Sequence, residues 1–173
     1  VKRQQILTTS FDARGNALAQ TISKEYFSDL GASIGSETQE ITNAAFSIHD
    51  RTPSSVIVNY EGTGVTKTFT DVQKIAYFDY DRYGNAERQT IDTYDTMEAL
   101  AGDLISHKAI SNDYGSLTDM INVELPDGTI ITKSAVYARK KGNALSSVTT
   151  EYRDIAETIL VQETTTTTSL FDI

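Results

Sequence analysis

The sequence has no cysteine and no tryptophan, only two prolines, and 15 basic against 24 acidic residues. The absence of cysteine excludes disulfides, thiolate metal sites and thiol chemistry. A formal net charge of -9 argues against nucleic acid and anionic membrane surfaces as partners, because binding to either depends on clustered lysine and arginine. There is no run of 18 apolar residues, and the N-terminal ten residues lack the apolar segment of a signal peptide. The sequence therefore predicts no nucleic-acid binding and no membrane insertion.

The residues that are abundant favour β-strands. Threonine, valine, isoleucine and tyrosine recur along the whole chain, and these residues fit a pleated, half-buried surface. At 173 residues the chain can form one domain that buries about two thirds of the surface that the unfolded chain exposes. We therefore expect residues 1–173 to form a single all-β module.

One segment, residues 78–94, indicates how the strands are joined. It contains an aromatic strand, the turn Asp81-Arg82-Tyr83-Gly84, and a polar strand that ends at Tyr94. Aspartate suits the first position of a type I turn because its side chain accepts hydrogen bonds from the backbone ahead of it. Glycine suits the last position because it adopts a positive φ without strain. The segment predicts an antiparallel hairpin.

This hairpin pattern repeats along the chain. Residues 11–26 and 137–152 repeat the Gly-Asn pair and the strand that ends at tyrosine, and residues 50–53 and 112–115 are weaker copies. The turns end at positions 15, 53, 84, 115 and 142, so the steps are 38, 31, 31 and 27 residues and their mean is about 32. The turn residues that we expect to specify the fold are Asp12, Gly15, Asp81, Gly84, Asn112, Gly115 and Gly142.

A second series of chain reversals alternates with these turns. Two alternating series are typical of an antiparallel up-and-down meander with two strands per repeat, whereas βαβ units need helical crossovers. The sequence therefore predicts about 11 long strands in about five two-strand repeats, arranged as an extended or coiled sheet. The second series lies at residues 28–36, 61–64, 96–103, 126–128 and 153–157.

Residues 96–101 could instead form a short helix. Met97, Leu100 and Ala101 follow the i, i+3, i+4 spacing of an amphipathic helix, and Thr96 can cap its start. Gly102 interrupts this pattern, and the repeat favours a turn here. A short helix at 96–101 is therefore the alternative to a turn.

The turn-and-strand pattern resembles the tyrosine-aspartate (YD) repeats of the Rhs family, whose units read Tyr-Asp-x-x-Gly followed by Asn or Arg and a strand. The matching residues are Phe11-Asp12-Ala13-Arg14-Gly15-Asn16 and Tyr80-Asp81-Arg82-Tyr83-Gly84-Asn85, and a third copy at 138–143 has Ala138 and Arg139 in place of Tyr-Asp. The pattern is most similar to the arrays of giant bacterial surface proteins. This resemblance implies a ribbon of strands that coils into a shell or spiral and serves as a container, stalk or adhesive surface outside the cell. The uneven repeat steps depart from the family and argue against a regular closed shell.

The end of the sequence repeats the start of the pattern. Residues 170–173 match residues 10–13, which lead into a turn, so we expect the chain to be a fragment of a longer array. Repeat modules stabilise one another by stacking, and a missing neighbour leaves an edge strand open. The sequence thus predicts association with neighbouring repeats or with copies of itself.

Four tyrosines recur at one end of the second strand in successive units: Tyr26, Tyr60, Tyr94 and Tyr152. Their spacing predicts that they line up across the sheet. Cross-strand packing that fixes the register is the favoured interpretation, because the positions are periodic and tryptophan is absent. The alternative is a platform on which sugar rings stack, which would make the chain a carbohydrate-binding module.

The sequence contains few candidates for a metal site. His49 and His107 are the only histidines, 58 residues apart, and a packed or solvated role is more common for such residues than a metal pair. Several aspartates lie near turns where oxygen ligands for Ca²⁺ could gather, but the fixed D-x-D-x-D-G loop is missing. We predict no cofactor and no metal site, with Ca²⁺ as an alternative. The aspartates concerned are Asp79, Asp81, Asp92 and Asp95.

Catalysis has no specific signal in the sequence. Glycosidic hydrolysis needs two carboxylates about 5 to 10 Å apart, and a chain with 24 acidic residues contains such a pair by chance. The predicted function is that of a non-catalytic structural repeat module of an extracellular or cell-surface protein, which builds a fibre, stalk, shell or adhesion scaffold. A polysaccharide-active enzyme is the last alternative.

Overall fold

The structure of the protein is a computed structural model, and it describes residues 2–172. Within these residues nine strands form one sheet and three form a second, smaller sheet. Eleven strands pair antiparallel, and only the last, two-residue strand pairs parallel. The prediction of an all-β, antiparallel fold with about 11 strands is confirmed.

The elements follow one another along the chain in an almost purely β order. They are β1 (Lys2–Phe11), β2 (Ala17–Phe27), β3 (Ser33–Asn43), β4 (Ser54–Glu61), β5 (Thr68–Tyr80), β6 (Ala86–Tyr94), β7 (Leu104–Asp113), β8 (Met120–Glu124), β9 (Ile130–Ser134), α1 (Val136–Lys141), β10 (Ser146–Tyr152), β11 (Leu160–Thr167) and β12 (Phe171–Asp172), with two short 3-10 turns at Gly64–Thr66 and Ala101–Asp103.

The strand order of the large sheet is that of a meander. Strands β1 to β7 lie side by side in chain order, and β10 and β11 continue the sheet beyond β7. Between β7 and β10 the chain leaves the sheet to form β8, β9 and α1, and β12 later pairs with β8. This excursion departs from the predicted series of two-strand repeats after residue 113.

Five chain reversals within residues 2–172 share one hydrogen-bond pattern. In each, the N–H of the first residue donates to the carbonyl of the fifth, and the N–H of the fourth donates to the carbonyl of the first. The fourth residue has a positive φ in every case. This geometry is a three-residue hairpin loop, in which a type I turn is followed by a left-handed bulge residue. The five turns span residues 12–16, 28–32, 47–51, 81–85 and 125–129.

The large sheet is a single layer and has little buried core. The chain exposes 10601 Å² for a mass of 19.0 kDa, whereas a compact protein of that mass exposes about 8,400 Å². One buried cluster lies between the small sheet and α1, and the other lies on one face of the large sheet. Their buried members are Ile121, Val123, Ala135, Ala138 and Phe171 in the first, and Val72, Tyr94 and Ala99 in the second.

The helix alternative at residues 96–101 is wrong. This segment is a turn that continues into the 3-10 turn at Ala101–Asp103. Met97 and Leu100 are 56% and 62% exposed, so the apolar stripe has no surface to pack against. Thr96 Oγ1 instead donates a 2.6 Å hydrogen bond to Asp103 Oδ2, which closes the loop.

The α-helix lies where the repeat pattern predicted a strand and a hairpin turn. In helix α1 (Val136–Lys141) and the residue before it, Ala135 and Ala138 are completely buried against the small sheet. These two positions are three residues apart, and only a helical conformation places both on one face, so their burial favours the helix. Gly142 has a φ of +76° and ends the helix, and its N–H donates to the Arg139 carbonyl. Gly142 is therefore a helix cap and does not close a hairpin.

Candidate functional site, a row of turns at one end of the sheet

The first turn is held together by the side chain of Asp12. Its Oδ1 accepts hydrogen bonds from the N–H groups of Arg14 and Asn16, at 2.9 and 2.8 Å, and its Oδ2 accepts one from Asn16 Nδ2 at 2.9 Å. Gly15 has a φ of +91°, which glycine adopts without a steric penalty. The turn therefore needs both an acceptor at its first position and glycine at its fourth.

The turn at Asp81 repeats these contacts. Asp81 Oδ1 accepts from the N–H groups of Tyr83 and Asn85 at 2.8 and 3.0 Å, and Oδ2 accepts from Asn85 Nδ2 at 3.1 Å. Gly84 has a φ of +93°, close to that of Gly15. Two segments 69 residues apart in the sequence thus form the same structure from the same Asp-x-x-Gly-Asn residues.

The second turn of the row lies at residues 47–51, so the expected turn at 50–53 is wrong by three positions. Ser47 takes the role of the aspartate, and its Oγ accepts from the N–H groups of His49 and Arg51, both at 3.3 Å. Asp50 takes the role of the glycine with a φ of +58°. Phe46 before Ser47 matches Phe11 before Asp12, and this pair is the sequence signal that could have identified the turn.

The first of the three turns is bonded to the second. Asn16 Nδ2 donates to Asp50 Oδ1 at 2.8 Å, and Arg14 Nη2 donates to the Phe46 and Ser47 carbonyls at 3.2 and 2.5 Å. These contacts tie the first turn to the second. We call turns 12–16, 47–51 and 81–85 the turn row.

The third turn is bonded to helix α1. Asn85 Nδ2 donates to the Arg139 carbonyl at 2.7 Å, and Arg139 Nε lies 3.5 Å from Asp81 Oδ2. The helix thus lies beside the turn at 81–85, where the repeat prediction would place a further turn. The asparagine at the fifth position of the turn connects the first turn to the second (Asn16) and the third turn to helix α1 (Asn85).

The hydrogen bonds to the two aspartates also lower their pKa values. The side-chain bond from Asn16 is the main reason that the pKa of Asp12 falls from 3.8 to about 2. Burial raises the pKa of Asp81, but the hydrogen bonds from Asn85 and Tyr83 and the charge of Arg139 outweigh it, so the pKa lies below its ordinary value. Both turns are therefore built for the ionised carboxylate.

Two further predicted turn residues have other roles. Asn112 lies within β7, and its Nδ2 donates to the Ala86 carbonyl at 3.3 Å, so its assignment to a turn is wrong. Gly115 has a φ of +70° in the loop that leaves the large sheet. A Cβ at this position would collide with Leu145 and lie 3.1 Å from the Ala135 Cβ. Gly115 thus allows the loop to pack closely on the buried cluster.

The four predicted tyrosines do not form one row. Tyr26 pairs with Gly35 of β3, and Tyr60 pairs with Thr38 of the same strand β3. Side chains alternate between the two faces along a strand, so positions 35 and 38, and with them the two tyrosine rings, lie on opposite faces of the sheet. Tyr60, Tyr94 and Tyr152 share a face, but Tyr60 and Tyr94 are only 8% and 4% exposed. Burial is the main cause that raises the pKa values of these two phenols.

Neighbouring side chains separate the tyrosines that share a face. Phe69 packs edge-on against Tyr60, with ring centroids 6.3 Å apart. Tyr94 packs with Val72 and Ala99 in a buried cluster. The rings at positions 60 and 94 are buried, so neither offers an open face to a sugar, and their geometry is that of cross-strand packing.

The two histidines lie at opposite ends of the strands. His49 is exposed in the turn row, whereas His107 is buried near the start of β7. His107 Nδ1 contacts the Asp92 carboxylate, and Nε2 lies 3.4 Å from Glu157 Oε1. Within residues 2–172, no group of three or more potential ligands is arranged to hold a metal ion.

The aspartates considered as Ca²⁺ ligands have partners within the chain. Asp79 accepts a 2.6 Å hydrogen bond from Arg88 Nε, and both carboxylate oxygens of Asp81 are occupied by its own turn. The Asp95 N–H donates to the Asp103 carbonyl at 3.2 Å within the loop that follows β6. These contacts place the carboxylates of Asp79 and Asp81 in an ion pair and in a turn, whereas the bond of Asp95 involves its backbone alone.

Comparison with known proteins gives no functional guide. No protein-family model matches the chain, and neither the curated proteins nor the solved structures show significant similarity to it. In the described part of the chain, no helix has the length and apolar character needed to cross a membrane.

Proposed function

We propose that this chain is a non-catalytic structural repeat module, related to YD repeats, of an extracellular or cell-surface protein. Its role is to extend a β-sheet sideways by pairing with neighbouring repeats or with further copies of itself. The assembled sheet would serve as a fibre, stalk, shell or adhesion scaffold.

The observation that carries this proposal is a single-layer sheet with two open edges. Among residues 2–172, no strand pairs with the outer side of β1 or of β11, and nearly every residue of both strands is exposed. Ile6, Leu7 and Phe11 of β1 are each more than half exposed. Natural proteins usually protect such edges because their free N–H and C=O groups pair with other strands.

The first strand, β1, is the edge on which we expect pairing. It offers ten residues, and its only charged side chains, Lys2 and Arg3, lie together at one end. In an antiparallel pair of two β1 strands these cationic ends lie far apart, so the pairing avoids charge repulsion. The isolated chain would therefore form a two-fold symmetric pair through β1.

The turn row supports the same interpretation. The first turn is bonded to the second through the side chain of Asn16, and the third turn is bonded to helix α1 through the side chain of Asn85. Contacts that run only between adjacent units are the property that makes repeat arrays extendable.

Thermal unfolding at increasing protein concentration tests this function. A module that is stabilised by neighbours unfolds at a higher temperature as the concentration rises, because association favours the folded state. A melting temperature that does not change over a hundredfold range of concentration would remove the support for this proposal.

A further inference from the structure

An open pocket of about 410 Å³ lies beside the second turn of the turn row. Its walls include the aromatic side chains of Phe46, Tyr77 and Tyr80, together with His49 and Arg51. We call it the Arg51 pocket. Its volume falls in the range of small-molecule sites, which combine apolar walls with a few polar groups.

The cation in this pocket contacts an aromatic ring but forms no ion pair within the described residues. The Arg51 guanidinium lies over the Tyr80 ring, 5.5 Å from its centroid, and its Nε is buried without a hydrogen-bond acceptor. Within residues 2–172 no carboxylate forms an ion pair with Arg51, although the chain carries a net charge of -9. The other buried donor without an acceptor, Arg139 Nε, lies 3.5 Å from Asp81. Arg51 is only partly buried, but a buried N–H donor such as its Nε is costly to leave without an acceptor, which a ligand could supply.

The aromatic walls are held in place by backbone contacts. Tyr80 Oη donates to the Thr52 carbonyl at 2.8 Å, which fixes its ring beside that of Tyr77, with centroids 6.4 Å apart. Arg14 Nη2 donates to the Phe46 carbonyl at 3.2 Å, which ties the backbone at Phe46 to the first turn. The pocket therefore has a Tyr80 ring that is held by a hydrogen bond, with the Tyr77 ring and a cation beside it.

Two further polar groups at the pocket are free to bind a ligand. The His49 ring and the Tyr77 hydroxyl have no hydrogen-bond partner within the described residues. They add donors and acceptors to a pocket whose charged group prefers a planar anion. The guanidinium forms paired hydrogen bonds with a carboxylate, and the electron-rich faces of aromatic rings attract the C–H groups of an apolar ring face.

We propose that the Arg51 pocket binds a carboxylated sugar ring, as found in a uronate-containing polysaccharide. The carboxylate would pair with Arg51, the C–H face of the ring would pack on Tyr77 and Tyr80, and the hydroxyls would bond to His49. A peptide is less suited, because the pocket lies at a turn and offers no open strand edge along which a peptide backbone could pair.

Isothermal titration calorimetry of the whole chain tests this inference. The probes are a trimer of galacturonate, the neutral trimer of galactose, acetate and a pentaglutamate peptide. We expect the galacturonate trimer to bind at least about tenfold more tightly than the galactose trimer. Acetate and pentaglutamate should bind more weakly than the galacturonate trimer, because they lack the ring that packs on the aromatic walls.

Arg51→Gln should weaken galacturonate binding by about tenfold or more. The matched control is Arg82→Gln, since Arg82 also lies over a tyrosine ring, 4.8 Å from the centroid of Tyr83, but outside the pocket. If Arg51→Gln does not fold by circular dichroism, Tyr77→Ala takes its place, and the same loss is expected from removal of an aromatic wall.

Four results would overturn the inference. They are no binding of the galacturonate trimer, equal binding of the charged and neutral trimers, binding of acetate or pentaglutamate as tight as that of the galacturonate trimer, and an equal loss in Arg82→Gln. Each result is independent of the proposed self-association, which does not involve this pocket.

Discussion

Asn16 donates a 2.8 Å hydrogen bond from Nδ2 to Oδ1 of Asp50, so the fifth residue of one turn holds the fourth residue of the next. The same Nδ2 group also bonds to Asp12 within its own turn. Asn85 repeats both contacts, with Asp81 and with the Arg139 carbonyl. The asparagine at the fifth position of these two turns therefore bonds each turn to a neighbouring element at one end of the sheet.

Replacing this asparagine should separate the turns. Asn16→Ala and Asn85→Ala each remove two side-chain hydrogen bonds, and we expect each to lower the free energy of unfolding by about 1–2 kcal/mol. Chemical denaturation monitored by circular dichroism measures the change. The matched control is Asn143→Ala at the fifth position of the third sequence copy, because its side chain is exposed and only its backbone N–H is bonded. Equal losses at positions 16 and 143 would contradict the role of the side chain.

Acid should weaken the turns over a defined range of pH. The pKa of Asp12 is lowered from 3.8 to about 2 in the folded chain, chiefly by the Asn16 side chain, and the pKa of Asp81 is also lowered. A depressed folded-state pKa gives stability that is present above the unfolded pKa and lost as the pH falls through the folded pKa. We therefore expect the free energy of unfolding to fall as the pH drops from 3.8 towards about 2.

The double variant Asp12→Asn, Asp81→Asn tests the source of this acid sensitivity. It should be less stable than the parent at neutral pH, and its stability should depend less on pH in the acid range. Urea denaturation at a series of pH values measures both. An unchanged pH dependence would show that other carboxylates are responsible.

The loss of stability on replacing a glycine with positive φ should depend on the atoms that surround it. Gly115→Ala combines left-handed strain with a collision against Leu145 and Ala135, and we expect it to lower the free energy of unfolding by about 2–4 kcal/mol. Gly15→Ala has no heavy atom within 4 Å of the added Cβ, so only the backbone strain remains, about 1 kcal/mol. Denaturation midpoints compare the two. A loss at position 15 as large as that at 115 would refute the packing argument.

The hairpin turns and the meander could be predicted because their determinants are local. Asp81 accepts from the residues that follow it, and Gly84 supplies the positive φ, so the sequence contains all that the turn requires. The turn at 47–51 could not be recognised from the same rule, since Ser47 and Asp50 replace the aspartate and the glycine with weaker substitutes.

The features that were predicted incorrectly depend on distant contacts. Gly142 requires a positive φ both in a hairpin and at a helix end, and burial of Ala138 beside Val123 is what selects the helix. The face on which Tyr26 lies depends on a strand register that one residue reverses. The Arg51 pocket combines residues of β5 with residues of the turn at 47–51, so no contiguous sequence motif marks it.

Pairing through the open edge of β1 is the central claim, and sedimentation velocity tests it most directly. Neighbouring residues of an edge strand point their N–H groups in opposite directions, one towards β2 and the other towards the open edge. We therefore compare the two single variants Gln4→Pro and Gln5→Pro. One of them removes an N–H that pairs with β2, and the other removes only an N–H of the open edge. Circular dichroism identifies the variant that remains folded. We predict that the parent chain associates more as its concentration rises and that the folded proline variant stays monomeric. A parent chain that sediments as a single monomer at its highest soluble concentration, or a folded variant that associates as the parent does, would contradict the account.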